Sequence, residues 1–129
     1  MDKDRSFENY SSYELAKKAA EIALTKKARN ILILDLRKLT TVTDYFVICS
    51  GDMDLHVKAI VDEIEKKLEP YARPWHIEGY QNLSWVLMDY VDFVVHVFRE
   101  EKRRYYNLEK LWGDAPVETV GEDEEEVIV

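Results

Sequence analysis

Residues 85–98, WVLMDYVDFVVHVF, decide the fold of this chain. Two apolar runs, Trp85 to Asp89 and Phe93 to Phe98, flank the tight connection Tyr90-Val91, and that spacing predicts an antiparallel hairpin. Side chains alternate across a strand. Trp85, Leu87 and Asp89 therefore point one way, with Val86 and Met88 the other. On the second strand Phe93, Val95 and Val97 oppose Val94, His96 and Phe98. Both faces are apolar, so both call for cover by something.

Reading outward, Ile31-Leu32-Ile33-Leu34 and Tyr45-Phe46-Val47-Ile48-Cys49 have the composition of strands buried on both sides. Between Cys49 and the hairpin, Val57, Ile60, Val61, Ile64 and Leu68 recur at helical spacing, and Pro70 marks the stop. Either Asp52 or Asp54 can cap that helix. An earlier helix is expected over 12–27. Ser11 and Glu14 have capping-box spacing, and Leu15, Ala19, Ile22 and Ala23 form its apolar stripe. Pro74 to Glu78 reads as a short strand, and Glu100 to about Leu111 returns to helical composition. The expected order is α-β-β-α-β-β-β-α: one α/β domain over 12–115 with a mixed five-stranded sheet and flanking helices. Residues 1–11 read as a flexible lead and 116–129 as an acidic, disordered tail.

Composition narrows the function classes. No apolar run is long enough for a membrane span, and the N-terminus lacks the apolar core of a signal peptide. The single cysteine, Cys49, lies in an apolar run, consistent with a reducing compartment, and the expected location is cytoplasmic. The formal charge is −8, but residues 117–129 hold six acids and no base, which leaves the body at −2. Nucleic-acid binding draws most of its affinity from a basic surface, so little direct nucleic-acid contact is expected. A basic protein is the better electrostatic match.

Candidate chemistry is sparse. Asp52 and Asp54 beside Ser50-Gly51 permit a Mg²⁺-dependent nucleotidyltransferase reading, with Asp35 or Asp89 as a third carboxylate. Helix capping explains the pair more simply. His56, His76 and His96 lack ligand spacing, so no metal site is expected. A Cys49/His56 nucleophile pair is conceivable, although a buried strand cysteine is usually inert. Arg103-Arg104-Tyr105-Tyr106 resembles a basic, aromatic contact. Yet Tyr105, Leu108 and Trp112 at i, i+3 and i+7 favour a helix face packed on the sheet, with the arginines on the surface. The apolar excess of the hairpin is open to two readings: an ordinary sandwiched core, or a protein-binding hot spot around Trp85, Tyr90 and nearby acids.

A resemblance adds to this reading. Asp35-Leu36, Thr43 to Ile48, Ser50-Gly51 and His56-Val57 occur in order, followed by Glu78-Gly79, Trp85, Asp89-Tyr90 and Asp92. Val94 to Phe98, Arg104 to Tyr106 and Leu108-Glu109, Leu111-Trp112 complete the set. Over residues 12–115 the ordered set resembles the bacterial ribosomal silencing factor (Iojap-like) family. That resemblance implies a nucleotidyltransferase-like fold without its catalytic set, no enzymatic activity and no cofactor. It also implies binding to ribosomal protein L14 on the large ribosomal subunit, which blocks joining of the small subunit and represses translation when nutrients are scarce. Large-subunit maturation is a further role in that family. The residues matching the L14-contacting segment are Trp85, Asp89 and Tyr90, with Glu78 and Gly79 nearby. On this reading Trp85→Ala abolishes binding and leaves the fold cooperative. A homodimer through the same apolar face is a third reading. The chain departs from the family at Val91, where the hairpin turn usually carries glycine; a β-branched residue resists positive φ, so Tyr90 could be moved.

Overall fold

The computed structural model describes residues 10–121. Its elements are α1 (Ser12–Thr25), β1 (Arg29–Asp35), β2 (Tyr45–Gly51), α2 (Asp54–Leu68), β3 (His76–Glu78), β4 (Trp85–Asp89), β5 (Phe93–Arg99), α3 (Glu100–Tyr106), α4 (Leu108–Leu111) and β6 (Val117–Val120). The sheet is mixed and runs β3-β4-β5-β2-β1-β6. β2 and β5 pair in parallel, and the hairpin β4–β5 is antiparallel, as its spacing predicts.

The sheet has six strands rather than five. Residues 117–120, read from sequence as part of the acidic tail, add to β1 with Ile31 opposite Val120 and Leu34 opposite Val117. Four residues with one glutamate carry no strong local signal; the free edge of β1 supplies the reason to pair. Glu118 accepts from Tyr13 Oη at 2.6 Å and is also bonded by Lys17 Nζ, which ties the new edge to α1. The rest of the expected tail, 122–129, and lead residues 1–9 lie outside the described residues.

Both helices on the first face follow from local pattern. Ser11 Oγ accepts from Glu14 N–H at 3.0 Å and Glu14 Oε1 accepts from Ser11 N–H at 2.9 Å, a complete capping box. Ala16, Ala19, Ala20 and Ala23 are fully buried, so the small side of α1 lies against the sheet while Leu15 and Ile22 are only partly covered. α2 buries Val57, Ile60, Val61, Ile64 and Leu68 as its periodicity requires. Its N-cap, however, is Met53, with no side-chain cap bond. Asp52 turns instead to Arg29 Nε at 2.7 Å, and Asp54 sits in the first turn, where the helix dipole favours an anion. His56 joins the two helices: Nδ1 accepts from Asp52 N–H, and Nε2 lies 2.8 Å from the Lys26 carbonyl that ends α1.

The opposite face is covered differently from the sequence expectation. One helix over 100–111 becomes two, because Asn107 adopts the left-handed conformation at φ 50° and ψ 59°. Its N–H closes α3 on the Arg103 carbonyl, and its Oδ1 accepts from Lys110 N–H to open α4. The break removes Tyr105 from the expected i, i+3, i+7 face, while Leu108 and Trp112 still pack on the sheet. Tyr105 is 78% exposed, and Arg103, expected on the surface, is 6% exposed. Arg103 donates to Ser50 Oγ at 2.9 Å and pairs with Glu109 at 3.0 Å, clamping both short helices to β2. Under them lie Leu34, Leu36, Ile48, Phe98 and Ala115, flanked by Leu32, Phe46, Trp85, Leu108 and Trp112. Leu87 and Asp89, outside this cluster, are half-buried, and Val94 is buried.

The β4–β5 turn accepts the β-branched residue at a cost. Val91 has φ +75°, and Asp92 N–H donates across it to the Tyr90 carbonyl at 2.9 Å, a γ-turn. Asp89 Oδ1 takes the Val91 N–H at 2.8 Å and Thr43 Oγ1 donates to the Val91 carbonyl at 3.0 Å, which together hold the strained turn. The Val91 side chain is mostly in solvent. Val91→Gly is therefore expected to stabilise the fold by about 1 kcal/mol, since left-handed strain exceeds the extra unfolded-state entropy of glycine. A urea midpoint at or below that of the wild type would refute it.

Candidate partner-binding face

Aromatic rings tile the covered half of the second face. Trp85 stacks on Phe98 with centroids 4.9 Å apart, meets Tyr106 at 4.6 Å, and donates from Nε1 to His96 Nδ1 at 3.1 Å. Phe46 stands edge-on to His96 at 4.4 Å and to Trp112 at 6.0 Å. Trp85 is thus half-buried, held on both sides by rings, and not a free-standing surface anchor.

His96 has a defined protonation state. Because Nδ1 accepts from Trp85, the proton of the neutral ring sits on Nε2, which finds no acceptor among the described residues. Burial (3% exposed) disfavours the cation and lowers the pKa from 6.5 to about 3. The stability contribution follows in sign. It is fully present above pH 6.5, where both states are neutral. It is lost as pH falls from 6.5 toward 3, because the unfolded chain then binds a proton that the native ring refuses. The loss amounts to about 2 kcal/mol between pH 6.5 and 5 at roughly 1.4 kcal/mol per unit. His96→Gln retains an acceptor for Trp85 and does not titrate, so its melting temperature should fall less over that interval. Parallel profiles for both proteins would exclude His96 as the source.

Beyond the rings the face is open and acidic. His76 pairs with Asp89 across β3–β4 and Glu78 with Leu87, which brings the three polar side chains to one edge. His76 Nε2 lies 2.7 Å from Glu78 Oε2 and Nδ1 lies 3.8 Å from Asp89 Oδ2. Gly79 makes the following loop possible. Its φ is +83°, and its carbonyl accepts from Asn82 and Leu83 at 3.1 and 2.9 Å. A Cβ there would stand 2.1 Å from the Trp85 carbonyl oxygen.

Of the five residues singled out from sequence, Trp85, Asp89 and Glu78 therefore share one sheet face, Trp85 in its covered half and the two acids in its open half, and Gly79 shapes the loop behind them. Tyr90 does not join them. Its ring is 7% exposed and stacks on Phe93 at 4.7 Å within the helix-covered core. Its hydroxyl has no partner there, and burial raises its pKa. The aromatic that sequence reasoning missed is Trp75, 74% exposed beside His76. Its sequence signal, a tryptophan between Pro74 and His76 at a strand start, does not distinguish exposure from burial.

The four carboxylates considered for Mg²⁺ each have a partner of their own. Asp52 faces Arg29, Asp54 accepts from Arg99 at 3.1 Å, Asp35 is held by Arg37 at 2.8 Å, and Asp89 caps Val91. No group of three or more His, Cys, Asp or Glu among the described residues could hold a metal ion. Cys49 is fully buried, with its thiol pushed up to about 12 by desolvation, and His56 is committed to backbone groups. No described helix is long and apolar enough to cross a membrane.

These features define a small α/β domain with one sheet face closed by two long helices and the other half-open, aromatic and edged with acids. The family model described as "Ribosomal silencing factor during starvation" matches residues 9–128. A ribosomal silencing factor of Bacillus subtilis is 45% identical over 104 residues, covering 80% of this chain and 88% of that protein. The mouse protein named for mitochondrial assembly of the ribosomal large subunit is 34% identical over 94 residues, covering 67% of this chain and 40% of its own length. The crystal structure of a Chromobacterium violaceum protein superposes with a TM-score of 0.78 at 35% identity, over 81% of this chain and 88% of that one. The chain belongs to the ribosomal silencing factor (Iojap-like) family.

Proposed function

We propose that this chain binds ribosomal protein L14 on the large ribosomal subunit and sterically blocks joining of the small subunit. It acts in the cytoplasm without catalysis or cofactor. The observation that carries the reading is the open half-face itself: apolar Leu87 and half-buried Trp85 beside the carboxylates of Glu78 and Asp89, in a family named for ribosome silencing. Burial of the apolar part supplies affinity, and the acids select a basic partner. Tyr90 contributes from beneath, through its stack on Phe93, and Gly79 through the loop it permits. The mouse relative, named for assembly of the large subunit, supports that subunit as the binding platform.

Sedimentation tests this directly. Small and large subunits are mixed at fixed Mg²⁺ with and without the protein. The expected result is co-sedimentation with large subunits and depletion of whole ribosomes. Undiminished whole-ribosome formation, with no protein on large subunits, would reject the reading.

A further inference from the structure

Trp75 leaves an indole in water at the rim of the open face. Its backbone N–H is fixed on the Asp89 carbonyl at 2.6 Å, and Pro74 before it restricts the approach of the chain. The ring stands against the His76 ring at 4.9 Å and 70°. His76 holds Glu78 and lies within 3.8 Å of Asp89, so the exposed indole and two carboxylates belong to one ordered edge. The nearby cation, Arg73, is turned toward Glu69 of α2 at 3.7 Å.

Charge complementarity selects the occupant. A tryptophan face attracts cations more strongly than any other side-chain ring, and the adjacent carboxylates reinforce that preference. We propose that Trp75 is the anchor of the interface: its ring receives a lysine or arginine side chain of the basic protein partner, which Glu78 and Asp89 flank as ion-pair acceptors. This rests on the reading that the open face binds L14, and it transfers the anchoring role from the half-buried Trp85 and the buried Tyr90 to Trp75.

The test is calorimetric binding of the full chain to purified L14 for the wild type, Trp75→Phe, Trp75→Leu and Trp75→Ala, with melting temperatures alongside. Because the side chain is exposed, all four should melt alike. Trp75→Ala and Trp75→Leu should each bind about tenfold more weakly or worse, and Trp75→Phe should fall between. Wild-type affinity in Trp75→Ala overturns the anchor while leaving the L14 reading intact. Wild-type affinity in Trp75→Leu alone overturns the cation contact, since leucine retains apolar area without a π face. If the wild type fails to bind isolated L14, the same proteins are tested on purified large subunits. Loss confined to the Trp75 variants there upholds the anchor and moves the partner, and no binding by the wild type to either overturns both.

Discussion

Trp85→Ala is expected to destabilise the domain by about 3 kcal/mol or more, the range for removing a packed tryptophan. The side chain lies between Phe98 and Tyr106, and its Nε1–H supplies a hydrogen bond to buried His96 Nδ1. Truncation opens a void in the ring layer and leaves both nitrogens of His96 without a partner, a cost beyond the lost apolar area. The sequence-based expectation for this variant is lost binding with a cooperative fold; the packing around the ring adds a loss of stability, so both quantities are expected to fall. Trp85→Phe separates them, because it keeps much of the ring packing and removes only the donor. Denaturant midpoints for the two variants, read beside L14 affinity at a temperature where each is folded, make the check. An unchanged midpoint for Trp85→Ala would show that the layer contributes surface and no packing.

Gly79→Ala is expected to cost about 3 kcal/mol, an unusually large effect for adding one methyl group. Two independent penalties combine. At φ +83° an L side chain is strained, and the new Cβ would meet the Trp85 carbonyl oxygen at 2.1 Å, backbone that cannot move without disturbing the β4–β5 ladder. The loop 79–84 then re-forms at the expense of the Glu78–Leu87 pairing, so L14 binding should weaken together with stability. A folded Gly79→Ala variant of wild-type midpoint with impaired binding would instead make Gly79 a point of close partner approach.

Much of this was legible in the sequence where the signal is local. Ser11 and Glu14 announce the α1 capping box, Val57 to Leu68 the buried stripe of α2, and the runs on either side of Tyr90-Val91 the hairpin. The division of the hairpin faces is also correct: Val86, Met88, Val95 and Val97 lie under the helices, and Trp85, His96 and Phe98 lie on the other side. The site was legible in part. Glu78, Trp85 and Asp89 do share a face, because residues two or four apart on a strand, or paired across one, must.

Where periodicity was the argument and a local conformation broke it, the reading failed. Asn107 in the left-handed region ends α3 one turn after Arg103, which inverts the expected exposure of Arg103 and Tyr105. Tyr90 follows the end of β4, where the γ-turn at Val91 rather than strand alternation aims the ring.

The sequence by itself determined the two long helices, the hairpin and the two apolar faces of its strands, because each depends on side chains within one or two turns of chain. Only the tertiary structure decided that β6 pairs with β1, that Arg103 is buried on Ser50, that Tyr90 belongs to the core and that Trp75 stays in solvent. Those outcomes turn on which free edge, hydroxyl or covering helix stands opposite. Here the partners lie as far apart as Ile31 and Val120, a separation over which no local pattern carries information.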